Sequence, residues 1–553
     1  MQRPRKDTRC HDWNAGAGEA YNRARDIRPS RGPESESRCL LLIRITVWAR
    51  DARQETLVTA EGGALGRWEA VMLRRCLLVV LLIGGCTAVA SAQDAKAALG
   101  NVSKSLGADS LKTVQYSATG FDFALGQNPN ASAPWPKFIE KSYTRAIDFE
   151  AKASRVDRVR TQGENPPRGG GQQPIIGEQS QTNVIGADAP WVQQLEIWMM
   201  PHGFVRAATA RNATLDKAPA GAKQTVIAFA GDNKAPVKAF LDERNLIARV
   251  ETMIDHPVLG DMLFEAIYSD YKDVGGGVQF PMHIVQRQGG HPVFDLRLTD
   301  VKVNMPVNTQ APQGRGGAPA AAGAPANPPA QSEKLGDGVY LITGGYTVIA
   351  IDFKDYIALV ESGQSEARAL AVIAEAKRLI PNKPIRYVIN THSHFDHAGG
   401  LRAFVAEGST ILTHESNKAY LEKVLALPHT LNPDKAQTSG KKPLVEGMGD
   451  KKVLTDGTHV VELYHMKNFL HHDGMIVAYL PKERVLLEAD AYNPQPATAT
   501  PPSPPSPYTL SLADNIQRLK LNVERIVPVH YPADNRVVTI AELNRWLGRT
   551  GTN

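Results

Sequence analysis

The stretch that most constrains this chain is ten residues long. Thr391-His-Ser-His-Phe-Asp-His-Ala-Gly-Gly400 follows directly on residues 385–390, a short apolar run with strand character. His392 and His394 are two apart, so an extended backbone points them the same way, while Asp396 and His397 point elsewhere as the chain turns into a helix. Four ligand-type side chains therefore face two neighbouring positions. Ten of the chain's 15 histidines fall between 392 and 530, a density that a solvated surface does not explain.

The rest of the chain narrows the chemistry. Cys10, Cys39, Cys76 and Cys86 are the four cysteines, so the body beyond position 87 has no disulfide, thiolate nucleophile or Cys-ligated zinc. His, Asp and Glu remain as metal ligands. The formal charge is +6, but residues 93–553 hold 48 basic and 47 acidic side chains. That near-neutral body lacks the footprint of a phosphate backbone, so no nucleic-acid partner is expected.

The front carries a targeting pattern. Met72-Leu-Arg-Arg opens it, an apolar run from Leu77 to Ile83 follows, and Ala90-Ser91-Ala92 supplies small residues before a cut. Residues 72–92 therefore read as a secretory signal, too short to span a bilayer of ~30 Å, and the expected destination is periplasmic or secreted, in a bacterial envelope. Arg-rich residues 1–71 read as a disordered, non-native upstream extension. Ile83-Gly84-Gly85-Cys86 also resembles a lipobox, so a membrane partner is expected only if Cys86 is lipidated; cleavage after Ala92 is the favoured exit.

Residues 93–305 read as mostly antiparallel β. Phe294, Leu296 and Leu298 alternate with polar neighbours, Gly289-Gly290 separates this run from residues 278–286, and similar runs at 246–254 and 263–271 flank Gly260-Asp261. Residues 164–174 (ENPPRGGGQQP) read as a disordered loop, and His202, His256, His283 and His291 as ordinary strand or surface residues. Residues 306–332 are nearly all Pro, Ala, Gly, Gln and Asn, too polar and small to order themselves, and read as a mobile linker between independently folding units. From 333 the pattern changes: runs at 338–342 and 347–352 pair across Gly344-Gly345, 357–360 continues the sheet, and Ser365 caps a helix that Pro381 stops.

The HxHxDH run resembles the signature of the metallo-β-lactamase superfamily, and the resemblance covers roughly 333–553. Three later motifs fit it. In Leu470-His471-His472-Asp473-Gly474, His471 stands where the family places its third first-metal histidine; Asp490 ends Leu487-Glu488-Ala489-Asp490; His530 ends Ile526-Val527-Pro528-Val529-His530. The resemblance implies an α+β protein: a C-terminal αββα sandwich preceded by the antiparallel β domain. It further implies His392, His394 and His471 on one metal, Asp396, His397 and His530 on a second, and Asp490 between them. Two zinc ions are implied, with iron or manganese as alternatives, and Asp396 would also orient the activated hydroxide as a catalytic residue. His472 competes with His471 as a ligand, although strand register favours His471. His414, His429, His459 and His465 have no motif position, and Tyr492 and Tyr531 fit core packing as well as a pocket wall.

The expected activity is an exported zinc-dependent hydrolase acting on a small-molecule ester, lactam, lactone, thioester or related bond. The alternatives are a β-lactamase proper, an iron-dependent oxidoreductase like the persulfide dioxygenases, and a non-catalytic envelope binding protein.

Overall fold

A computed structural model describes residues 94–163, 167–312 and 329–549. The targeting segment, Cys86, the upstream extension and most of the linker lie outside the described residues.

The front half is one eleven-stranded antiparallel sheet. The four expected runs are its strands Ile247–His256, Gly260–Asp273, Gln279–Gln288 and His291–Val303, each paired with the next. The alternating apolar positions gather on one face, where Tyr116, Ile147, Phe264, Phe280 and Leu298 pack against helices. Those helices, at residues 94–106, Trp191–Trp198 and Pro201–Ala210, go beyond the mostly-β expectation. Pro190 and Pro201 lie at the starts of the latter two, where a missing backbone N–H costs nothing. His202, fully buried among them, stacks on Phe280.

The C-terminal half has two sheets, of seven and six strands. Ile349, Ile351, Leu412, Leu463, Val477 and Leu487 fill the space between them. Helix Glu366–Leu379 packs on the outer face of the seven-stranded sheet; Ser365 Oγ accepts from Arg368 N at its start, as expected. This is the αββα layering of the sequence expectation. Strand Gln331–Gly336 pairs with Val339–Thr343, so ordered structure begins two residues inside the segment read as linker. Strands Ile385–Ile389, Val485–Glu488 and Arg525–Pro528 all run to one edge of the sandwich, and the loops beyond them carry the histidine-rich motifs.

The two halves joined by that segment pack against each other. The chain from Thr87 onward is one compact unit. Val258, at a front-half hairpin tip, is buried within a C-terminal core cluster, and the Asp261 carboxylate accepts hydrogen bonds from Thr430 N and Leu431 N. Residues 167–172, expected to be part of a disordered loop, are docked as well: Gly169 N donates to Leu470 O (2.9 Å) and Tyr508 Oη donates to Gly169 O (2.9 Å). The glycine-rich composition serves close approach there. A Cβ on Gly169, at φ +63°, would meet Gln127 O at 2.5 Å.

Candidate metal centre

The seven residues singled out in the sequence meet at the sandwich edge in two groups. His392, His394 and His471 form one; Asp396, His397, Asp490 and His530 form the other, and within each group the candidate ligand atoms lie within 4.8 Å of one another. The groups join on Asp490. Its Oδ2 is 2.8 Å from His397 Nε2, 3.6 Å from His392 Nε2 and 3.7 Å from His471 Nε2, while its Oδ1 is 2.9 Å from His530 Nε2.

Several nitrogens of the cluster lack an ordinary hydrogen bond. His392 Nε2, His394 Nδ1 and His471 Nε2 are buried without a hydrogen-bond partner, while His397 Nε2 and His530 Nε2 meet only the two oxygens of Asp490. An unpaired buried polar atom costs roughly 1–3 kcal/mol, so a cluster of three imidazole nitrogens is unexplained unless something else satisfies them. Burial holds His392 and His394 below the usual imidazole range and pushes His471 down to about 3, which keeps their lone pairs free. Burial opposes charge on His397 too, but Asp396, Asp490 and Glu361 raise it well above that range. Burial would raise Asp490; His530, His397 and His471 hold it well below the usual carboxylate range. All-nitrogen and nitrogen-plus-carboxylate sets of this kind suit zinc and similar divalent ions.

The choice between the adjacent histidines is settled by hydrogen bonding. His472 Nε2 meets Ser393 Oγ at 2.9 Å and its Nδ1 accepts from Gly474 N at 3.0 Å, so both nitrogens are occupied and His471 alone of the two faces the cluster. His414, His459 and His465 bond instead to Ser416, Asp337 O and Asp473 O. His429 lies by Asp255 and Asp434, away from the cluster.

Other residues complete the centre without having been singled out. Glu361, fully buried just beyond strand Ile357–Val360, accepts from Thr391 N (3.0 Å) and Thr391 Oγ1, and stands 3.4 Å from His397 Nδ1. Thr391 Oγ1 in turn lies 3.1 Å from His392 Nδ1. Glu361 and Asp490 both hold left-handed backbone, at φ 76° and 57°. Non-glycine residues in that region store strain and cluster at functional sites. A polar residue directly after a fully buried strand, at the edge that bears the motif, was the available signal for Glu361. Tyr346, after Gly344-Gly345, donates to Asp396 Oδ2 (2.8 Å), and its ring centroid is 4.6 Å from that of His530. Burial and the Asp396 carboxylate keep its hydroxyl protonated.

The front half also reaches the centre. Gln127 Nε2 donates to Asp396 Oδ1 (3.0 Å), His394 Nε2 donates to Asn128 O (2.7 Å), and the Gln172 amide is 2.6 Å from His530 Nδ1. No motif marks these three. Phe395, within the histidine run, is clasped by Trp135, His256 and Gly126 of the front half. With that cover in place only Asp396 (side chain 26% exposed) and His530 (9%) reach solvent, which defines the one open side.

Residues 342–530 match the family model described as "Metallo-beta-lactamase superfamily". The 2,4-dinitroanisole O-demethylase subunit alpha of Nocardioides sp. (strain JS1661) is similar over 222 residues at 24% identity, 40% of this chain; the chain spans 63% of that relative's length. Among solved structures, the metallo-beta-lactamase from Pontibacter korlensis is similar at 18% identity and TM-score 0.30, covering 40% of this chain and 97% of its own. The metallo-beta-lactamase from Hirschia baltica is similar at 19% and 0.31, covering 40% and 100%. Motif, layering and family model agree on the C-terminal part: residues 342–530 match the metallo-beta-lactamase superfamily.

Proposed function

We propose that the chain is a metal-dependent hydrolase that holds two transition-metal ions, zinc in this reading, in the two groups joined by Asp490. The observation that carries it is the convergence of four buried imidazoles, those of His392, His397, His471 and His530, on the Asp490 carboxylate, with His392 Nε2 and His471 Nε2 left without a hydrogen bond. Ions held there would supply an acidified water as nucleophile and Lewis acidity toward a substrate oxygen.

The chain's own residues do the rest. His392, His394 and His471 are neutral and buried, so they offer lone pairs without a prior proton loss. Glu361 fixes Thr391 and through it the first histidine. Asp396, at the open side, is set by Tyr346 and Gln127, one on each oxygen, and each oxygen keeps a lone pair with which to orient an incoming water. A small substrate approaches over Asp396 and His530, where the Tyr346 hydroxyl, donating to Asp396 Oδ2, fixes that carboxylate.

Metal quantification on purified protein, then a panel of chromogenic ester, lactam, lactone, thioester and phosphodiester substrates with and without chelator, tests this. Two zinc equivalents per chain and chelator-sensitive hydrolysis are expected; full activity after complete metal removal refutes it. The O-demethylase named above adds a second reading, cleavage of an aryl methyl ether, so 2,4-dinitroanisole belongs in the panel. Iron in place of zinc, with oxygen consumed, would instead favour oxidoreductase chemistry. We also propose export, on the signal pattern at 72–92; N-terminal sequencing of mature protein should begin at Gln93.

A further inference from the structure

The proposed function draws all seven donors from the C-terminal half. Three of them are nevertheless gripped from the front half at the atom opposite their donor atom. A carbonyl can only accept, so the 2.7 Å contact of His394 Nε2 with Asn128 O places the imidazole proton on Nε2 and leaves Nδ1 as the lone pair. Nδ1 is the nitrogen that is buried and unpartnered. Gln172 Nε2 donates to His530 Nδ1 (2.6 Å), which turns the ring so that Nε2, carrying the ring proton, faces Asp490 Oδ1; Gln127 holds Asp396 Oδ1.

The two front-half segments that do this are tied to each other and to the loops that bear the donors. Gly170 N donates to Gln127 O (2.8 Å), Asp473 N donates to Pro129 O (2.7 Å), and Asn493 Nδ2 donates to Gln172 O (2.6 Å). Asp473 and Asn493 lie two and three residues from His471 and Asp490.

We propose that the front β domain is a positioning part of the metal centre: Asn128 O selects the tautomer of His394, and Asn128 O, Gln127 and Gln172 together fix the orientation of His394, Asp396 and His530 and thereby set metal affinity. This rests on reading the cluster as a metal site. Packing alone would put contacts anywhere along the seam; here they fall on the second nitrogen or oxygen of three donors. Partners of this outer kind are typically worth about 10- to 100-fold in metal affinity.

The test uses the full chain. Zinc affinity is measured by competition with a chromophoric chelator, and the cobalt(II)-substituted protein is read by its visible absorption, for wild type, Gln127→Leu with Gln172→Leu, and Arg168→Ala. Arg168 pairs with Asp473 (2.6 Å) across the same seam but touches no donor. The expected result is a loss of about 10- to 100-fold in zinc affinity and a shifted cobalt spectrum for the glutamine double variant, neither for Arg168→Ala, and partial recovery in Gln127→Glu with Gln172→Glu. Unchanged affinity and spectrum in the leucine variant, with wild type holding two ions, would overturn the positioning role alone. Equal losses in Arg168→Ala would reduce it to seam stability, again overturning it. A wild type that holds no ion would overturn the metal reading together with it. Melting of the metal-free proteins distinguishes a misfolded variant, and the glutamate pair then carries the comparison.

Discussion

The two halves contribute to the centre in different currencies. The C-terminal half supplies every donor side chain, from loops at the ends of strands whose buried faces fix them. The front half supplies none, yet its carbonyl and two amides decide which way three donors face. Donor identity thus travels with short local motifs, whereas donor orientation depends on where two distant stretches of chain meet.

The sharpest break in that comparison comes from the donors themselves. His394→Ala should lower bound zinc from two equivalents to one or fewer and abolish turnover, while the fold persists because His394 sits on a loop beyond Ile385–Ile389; elemental analysis and circular dichroism check both. Next comes the seam. Gly126 has φ +69° and a Cβ there would lie 2.2 Å from the Phe395 ring, so Gly126→Ala should cost about 2–4 kcal/mol in denaturant unfolding and loosen the metal as well.

How much of this was legible in the sequence follows the same divide. His392, His394, Asp396 and His397 lie within six residues, so strand periodicity alone brought them together. His471, Asp490 and His530 were legible only through the resemblance of the stretches that carry them to the superfamily's later motifs. Gln127 and Gln172 act across 269 and 358 residues of chain, and nothing local in a glycine-rich loop reports such a meeting. That loop reads as disordered by composition because its glycines bury no side chain, although close backbone approach is what they provide. Two of the front-half helices, Trp191–Trp198 and Pro201–Ala210, escaped for another reason: at eight and ten residues they are too short for a periodic pattern to outweigh the strands around them.

Acid should then report on the front half. His202 is fully buried there and burial lowers it to about 4. An unfolded chain takes up a proton near pH 6.5 that the folded chain refuses, so stability present above that pH is lost as pH falls from about 6.5 through about 4. The limit is roughly 3 kcal/mol. His202→Gln should flatten that part of the melting profile. Because Val258 sits in a C-terminal core cluster, both halves should melt in one transition; two resolved transitions would sharpen the boundary between them. The smallest effect belongs to Arg168→Ala. Its bridge to Asp473 is nearly half exposed at both ends, and its loss should cost less than about 1 kcal/mol in the same melts.

Anomalous diffraction from crystals of the full chain grown with zinc tests the central claim most directly. Two peaks are predicted, one about 2.0–2.1 Å from nitrogens of His392, His394 and His471, and one contacted by Asp396, His397 and His530, with Asp490 between them and Asn128 O still on His394 Nε2. A single peak, or none among these seven side chains while zinc binds elsewhere on the chain, would contradict the account.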